Sequence, residues 1–166
     1  LVGCAALWVA SKFEDVPDRV PAGRDFVHMA DGAFDITDLI VFERTFLAGL
    51  HFRIGAPTAC NFLGSYLRDC DDREARHMAH YIAERSLQDQ VFLPFLPSIL
   101  AASSLFLARH ILGRRPHWPP DLEATSQYTT FTLFPCIDRL SRMLRDQHRT
   151  VLSSVRDKYK IGRAHV

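Results

Sequence analysis

The chain has 166 residues, 48% of them hydrophobic and 23% charged, with a formal net charge of +1. That profile belongs to a globular chain long enough to bury a core, in one ordinary domain or two small ones. It excludes the strong basic footprint expected of a nucleic-acid binder, and no apolar run approaches the ~20 residues that span a bilayer.

Nearly every segment follows the helical period, and no strand-like alternation persists, so the expected class is all-α. Residues 1–12 are apolar all round, as a helix enclosed by others would be. A Pro- and Asp-rich turn follows over 15–21, then a short helix over 22–29, broken by "DGAFD". Asp35, Ile36 or Thr37 caps the next helix, which runs to about Leu50, and "GAPT" at 55–58 ends one unit and begins another. Beyond it, Ala59, Phe62, Leu63, Tyr66, Leu67 and Cys70 form one helical stripe, and another helix covers 73–87. A second all-round apolar helix is expected over 97–112, the loop "GRRPHWPP" after it, a short helix over 121–125 and a longer one over 131–146. A final turn is expected over 153–158, while "IGRAHV" (161–166) fits no helical period and resembles translated adapter sequence, so it is set aside as a non-native tail.

Cys4, Cys60, Cys70 and Cys136 have no framework spacing. They read as reduced thiols of an intracellular protein, with Cys4 and Cys136 expected to be buried in helices. An internal echo also appears at an offset of 98 residues: Leu7 aligns with Leu105, Trp8 with Phe106, Leu39 with Ile137 and Phe46 with Leu144. A duplicated helical unit of about a hundred residues accounts for it.

One charged residue sits on the wrong face. Helix 37–50 carries an apolar stripe of Leu39, Ile40, Phe46, Leu47 and Leu50, and Glu43 projects from that stripe, four residues after Leu39 and four before Leu47. A buried carboxylate without a partner costs several kcal/mol, so Glu43 should be paired or lie at an interface. The nearest unexplained cation is Lys12, which ends the enclosed helix. The two are expected to meet at one edge of the first unit, with Phe13, Leu47 and Ile54 around them. At the offset of 98, Lys12 becomes His110 and Glu43 becomes Ser141. The second unit dispenses with the pair, which therefore reads as a recognition feature rather than a requirement of the architecture.

Rival sites are weaker. His77 and His80 in "HMAH" share a helix face near Cys70, but the ligand count falls short of a metal site. Ser103 and Ser104 lie in an apolar helix without a nucleophile elbow, and no phosphate-binding glycine loop occurs, so neither an enzyme nor a cofactor is expected. "GRRPHW" reads as a solvated loop, with Trp118 anchoring it.

At these residues the chain resembles the cyclin family, closest to its A/B type. "LVGCAALWVASKFED" is similar to the central helix of the N-terminal cyclin box and its Ser-Lys-aromatic-Glu end. "DFVHMADGAFDITDLIVFERTFLAGLHFRIGAPTACNFL" resembles the run across the junction of the two boxes. "FLPSILAASSLFLARHIL" resembles the central helix of the second box, and "VRDKYK" its closing motif. The loop "EDVPDRVPAGRDF" departs from the family's Glu-Glu-Ile-Tyr-Pro-Pro-Glu-Val.

The resemblance implies two tandem cyclin-box helical bundles, the first truncated at its N-terminus. Residues 1–55 would be the C-terminal part of the N-terminal box, 56–160 the C-terminal box and 161–166 the tail. It also implies a regulatory subunit that binds and activates a cyclin-dependent protein kinase in the nucleus and cytoplasm, without cofactor, metal, nucleic acid or membrane. The kinase-binding residues carried over are Lys12, Phe13, Glu14, Glu43, Leu47, Phe52 and Ile54. Because some transcription factors share the fold, a nucleic-acid-binding module is the alternative, and the near-neutral charge weighs against it.

Overall fold

The computed structural model describes residues 1–68, 70–146 and 154–159. The tail at 161–166 and the first residue of the expected 153–158 turn lie outside these. Helices are the only regular secondary structure among the described residues. The chain divides into two compact units, Leu1–Ala56 and a second beginning at Pro57.

The first unit contains α1 (Val2–Glu14), α2 (Gly23–Met29) and α3 (Ile36–Gly49), with a 3₁₀ turn at Pro17–Arg19. Carboxylates set the starts of two of these helices. Asp25 accepts the Ala22 N–H at 2.8 Å. Asp35 accepts the Asp38 N–H at 2.8 Å while Asp38 accepts the Asp35 N–H at 3.1 Å, a reciprocal cap satisfying two otherwise orphaned donors. Ala5, Phe26 and Leu39 form the core, flanked by Cys4, Trp8, Phe34, Ile36 and Phe42.

Two expectations are corrected here. α1 is not enclosed: only Ala5 and Val9 are buried, while Val2 and Leu7 are exposed, because within this unit α2 and α3 cover one side of it. Cys4 is accordingly half-buried rather than buried. On α3, Leu39 is buried with Ile36 and Phe42 packed beside it, whereas Ile40 and Leu50 are exposed, so the packed face lies to one side of the expected stripe.

α3 ends in a tight reversal. His51 and Phe52 both take left-handed backbone angles (φ 50° and 57°), and the Phe52 N–H donates to the Leu47 carbonyl at 2.9 Å. Non-glycine residues adopt this conformation at a cost of about 1–2 kcal/mol each.

The second unit contains α4 (Ala59–Tyr66), α5 (Arg73–Ser86), α6 (Pro97–Ile111), α7 (Pro120–Ser126), α8 (Thr130–Arg145) and α9 (Ser154–Tyr159). Thr58 and Asn61 cap the start of α4, with the Thr58 N–H donating to Asn61 Oδ1 at 2.8 Å. Here the central helix is enclosed: α6 packs against α4, α5 and α8 and buries eight residues. Leu63, Ile82, Leu105, Leu133 and Leu140 fill the core between these helices. Trp118 anchors the loop after α6, its ring buried and its Nε1–H donating to the Tyr128 carbonyl at 2.8 Å. Cys136 is buried, and burial pushes its thiol up to about 11, which makes it an inert core residue.

Candidate functional site

α1 ends at Glu14 without an internal breaker, which places Lys12 in its last turn, where a cation complements the exposed carbonyls. α3 packs against α1, and its spacing turns Glu43 toward that helix one turn after buried Leu39. The two charges meet: Lys12 Nζ donates to Glu43 Oε1 in an ion pair. The pair is unequally exposed, with 36% of the Lys12 side chain and 17% of the Glu43 side chain open to solvent. Glu43 is thus the more desolvated partner, and the lysine head lies at the rim.

The other expected residues fall as follows. Phe13 follows Lys12 and is 51% exposed, and its ring lies beside Gly55, where an added Cβ would come within 3.2 Å of Phe13 Cζ. Leu47, one turn beyond Glu43 on α3, and Ile54 are half-buried. Phe52 is 70% exposed, carried outward on the left-handed reversal after α3. Glu14 is exposed at the end of α1, and its side chain has no hydrogen bond or ion pair among the described residues. The structure therefore brings Lys12 to Glu43 and Phe13 to Gly55, next to Ile54, and leaves Glu14 apart.

One contributor was missed. The Trp8 ring lies under Lys12, with Nζ 3.6 Å from its centroid. The signal was present in the spacing, because an aromatic residue four positions before a lysine shares its helix face.

The rival clusters resolve differently. His77 Nε2 donates to the Tyr159 carbonyl at 2.9 Å, and His80 lies 3.9 Å from the sulfur of Cys60, not of Cys70. No group of three His, Cys, Asp or Glu placed to hold a metal occurs among the described residues. Burial first of all, with Arg76 adding to it, lowers the His80 pKa. Ser103 Oγ–H reaches the Leu133 carbonyl at 3.5 Å, a structural contact between α6 and α8.

Two helical units, each organised on an apolar helix, with a charge pair at one edge of the first, define a class that sequence comparison makes specific. Residues 1–55 match the family model for the N-terminal domain of cyclins and residues 57–165 that for the C-terminal domain. The chain belongs to the cyclin family, as a tandem pair of cyclin-box bundles. It is 37% identical to the G2/mitotic-specific cyclin cdc13 of Schizosaccharomyces pombe over 87% of this chain and 30% of that protein. It is 33% identical to Cyclin-A3-2 of Arabidopsis thaliana over 96% of this chain and 44% of the relative, and 33% identical to Cyclin-A1 of Homo sapiens over 98% and 35%. Cyclins named as A type and as B type are both among the relatives it matches, in line with the motifs. The chain spans less than half the length of each of the three relatives described. Both matching models describe cyclin domains rather than an enzyme family. No helix among the described residues is long and apolar enough to cross a membrane.

Proposed function

We propose that this protein is a regulatory subunit that binds and activates a cyclin-dependent protein kinase in cell-cycle control, acting inside the cell in the nucleus and cytoplasm and performing no chemistry itself. The same reading assigns residues 1–55 to the N-terminal cyclin box, 56–160 to the C-terminal box and 161–166 to a tail, although the C-terminal family match runs on to residue 165.

The observation that carries it is the half-open Lys12–Glu43 pair. Glu43 is mostly desolvated, yet the Lys12 head stays at the rim with donors to spare, and exposed Phe13 and Phe52 supply apolar surface in the same unit. A polar pair with apolar surface nearby suits recognition of another protein's backbone and one of its helices. In this reading Lys12 and Glu43 hydrogen-bond to kinase backbone groups, while Phe13, Leu47, Phe52 and Ile54 contact the kinase's mobile regulatory helix, with Glu14 at the margin. Docking then holds that helix inward, so that its glutamate pairs with the ATP-positioning lysine.

The test is Glu43→Ala in the full-length protein, titrated with kinase catalytic subunit. Truncating one partner of a buried, hydrogen-bonded charge pair at an interface costs about 2–5 kcal/mol, so binding and activation should fall about thirtyfold or more. Helical content by circular dichroism should stay unchanged. A pair without a partner would cost about 1 kcal/mol or less and leave binding intact, and that result would overturn the proposal.

A further inference from the structure

The Lys12 ammonium is held by more than Glu43. Trp8 lies one helical turn earlier on α1, and Lys12 Nζ sits 3.6 Å from its ring centroid, well inside the ~6 Å within which an aromatic face attracts a cation. The ring is itself fixed. It packs against Phe26 with centroids 6.5 Å apart, and a Cβ at Gly23 would come within 3.0 Å of Trp8 Cζ2, so that glycine leaves the space the indole occupies. Gly23 and Phe26 are both buried, which ties the indole to α2. An ammonium has three N–H donors. Glu43 takes one, the indole covers a second side, and the 36% exposure of the Lys12 side chain leaves the rest of the head open.

The corresponding positions of the second unit lack the arrangement. At the offset of 98, Trp8 becomes Phe106 and Lys12 becomes His110. Phe106 meets the His117 and Trp118 rings instead of a lysine or arginine.

We infer that Trp8 is a positioning residue for Lys12: the indole face and the Glu43 carboxylate together fix the ammonium before a partner arrives. This rests on the reading of Lys12 and Glu43 as a kinase-binding pair. A lysine free to rotate surrenders that freedom on binding, and the loss weakens association. Here the ordering is already complete in the folded protein.

The experiment uses the full-length protein with kinase catalytic subunit as titrant. Trp8→Leu should weaken binding about threefold to tenfold, the factor that immobilising one long side chain commonly costs. Trp8→Phe, which still offers a ring face, should recover most of it. In a Lys12→Met background, Trp8→Leu should cost nothing further, whereas a residue that merely packs would cost the same in both backgrounds. A second readout needs no kinase. With ¹³C-labelled lysine, the Lys12 ε-methylene protons should resonate upfield in the parent and in Trp8→Phe, and return to the ordinary position in Trp8→Leu. An unshifted Lys12 in the parent, or an equal Trp8→Leu loss in both backgrounds, overturns the inference. An upfield Lys12 in a parent that binds no kinase supports the ordering of the lysine and overturns the kinase reading instead.

Discussion

Leu7 on α1 and Leu105 on α6 correspond at the offset of 98 residues, yet Leu7 is 59% exposed and Leu105 is 1% exposed. Similar apolar helices thus end in different surroundings, because α6 has α4, α5 and α8 against it while α1 has α2 and α3. One pair of corresponding polar residues follows the same division. In the second unit Ser141 Oγ–H turns back to the Ile137 carbonyl at 2.8 Å and is satisfied within its own helix. Its counterpart in the first unit, Glu43, reaches another helix and leaves a lysine at the rim. At this pair of positions the second unit closes its hydrogen bond within one helix, and the first unit joins two helices through it.

The sharpest way to break this comparison is a matched truncation. Leu105→Ala should destabilise the second unit by about 2–5 kcal/mol, the usual range for a buried leucine, while Leu7→Ala should stay within about 0.5 kcal/mol. Denaturant unfolding of both variants measures it. A large loss at Leu7 would mean that α1 is covered after all.

A second test sharpens the contrast between ion pairs. Asp72 caps α5 through the Ala75 N–H at 3.0 Å and pairs with Arg114 at 2.8 Å. The hydrogen bond from Arg114 holds the Asp72 carboxyl below its ordinary range, against the opposing effect of burial. A carboxyl lowered in the folded state contributes stability that is fully present above its unfolded pKa, about 3.9, and is lost as pH falls through the folded value. Asp72→Ala should cost about 1 kcal/mol at neutral pH, the usual worth of a cap. It should also flatten the loss of stability in acid below pH ~4. An unchanged acid slope, read from unfolding midpoints across that range, would show that the pair is not linked to folding.

The smallest effect is at the helix ends. After α6 the left-handed position is Gly113 (φ 68°), whereas after α3 His51 and Phe52 take left-handed angles without glycine. His51→Gly should therefore stabilise the first unit by about 0.5–1 kcal/mol, the relief of the left-handed angle less glycine's entropy loss. Thermal unfolding reads the gain, and a loss would show that the His51 side chain holds the reversal together.

Much of this was legible in the chain. Thr58 marked a helix start and Asp35 was one of three candidates for another, through capping chemistry, which is local and so readable without tertiary knowledge. The meeting of Lys12 and Glu43 followed from a carboxylate interrupting an apolar stripe, since such a charge must find a partner. What stayed hidden depended on neighbours. An apolar pattern on α1 says that it can be enclosed, not that enough helices surround it. Arg76 donates to the carbonyls of Leu67 and Cys70 at 2.7 and 3.1 Å, a contact between a helix and the loop before it with no sequence signature. Cys60, on α4, lies beside His80, whereas Cys70 falls beyond the end of that helix at Tyr66.

The chain's two tryptophans are divided between the units, Trp8 in the first and Trp118 in the second. Each half therefore carries its own intrinsic fluorophore, in contrasting settings: Trp118 is buried and hydrogen-bonded, and Trp8 is half-buried beneath an ammonium. Removing one indole leaves the emission of the other as a label-free optical record of its own half, so the order in which the two halves melt can be followed in a single cuvette.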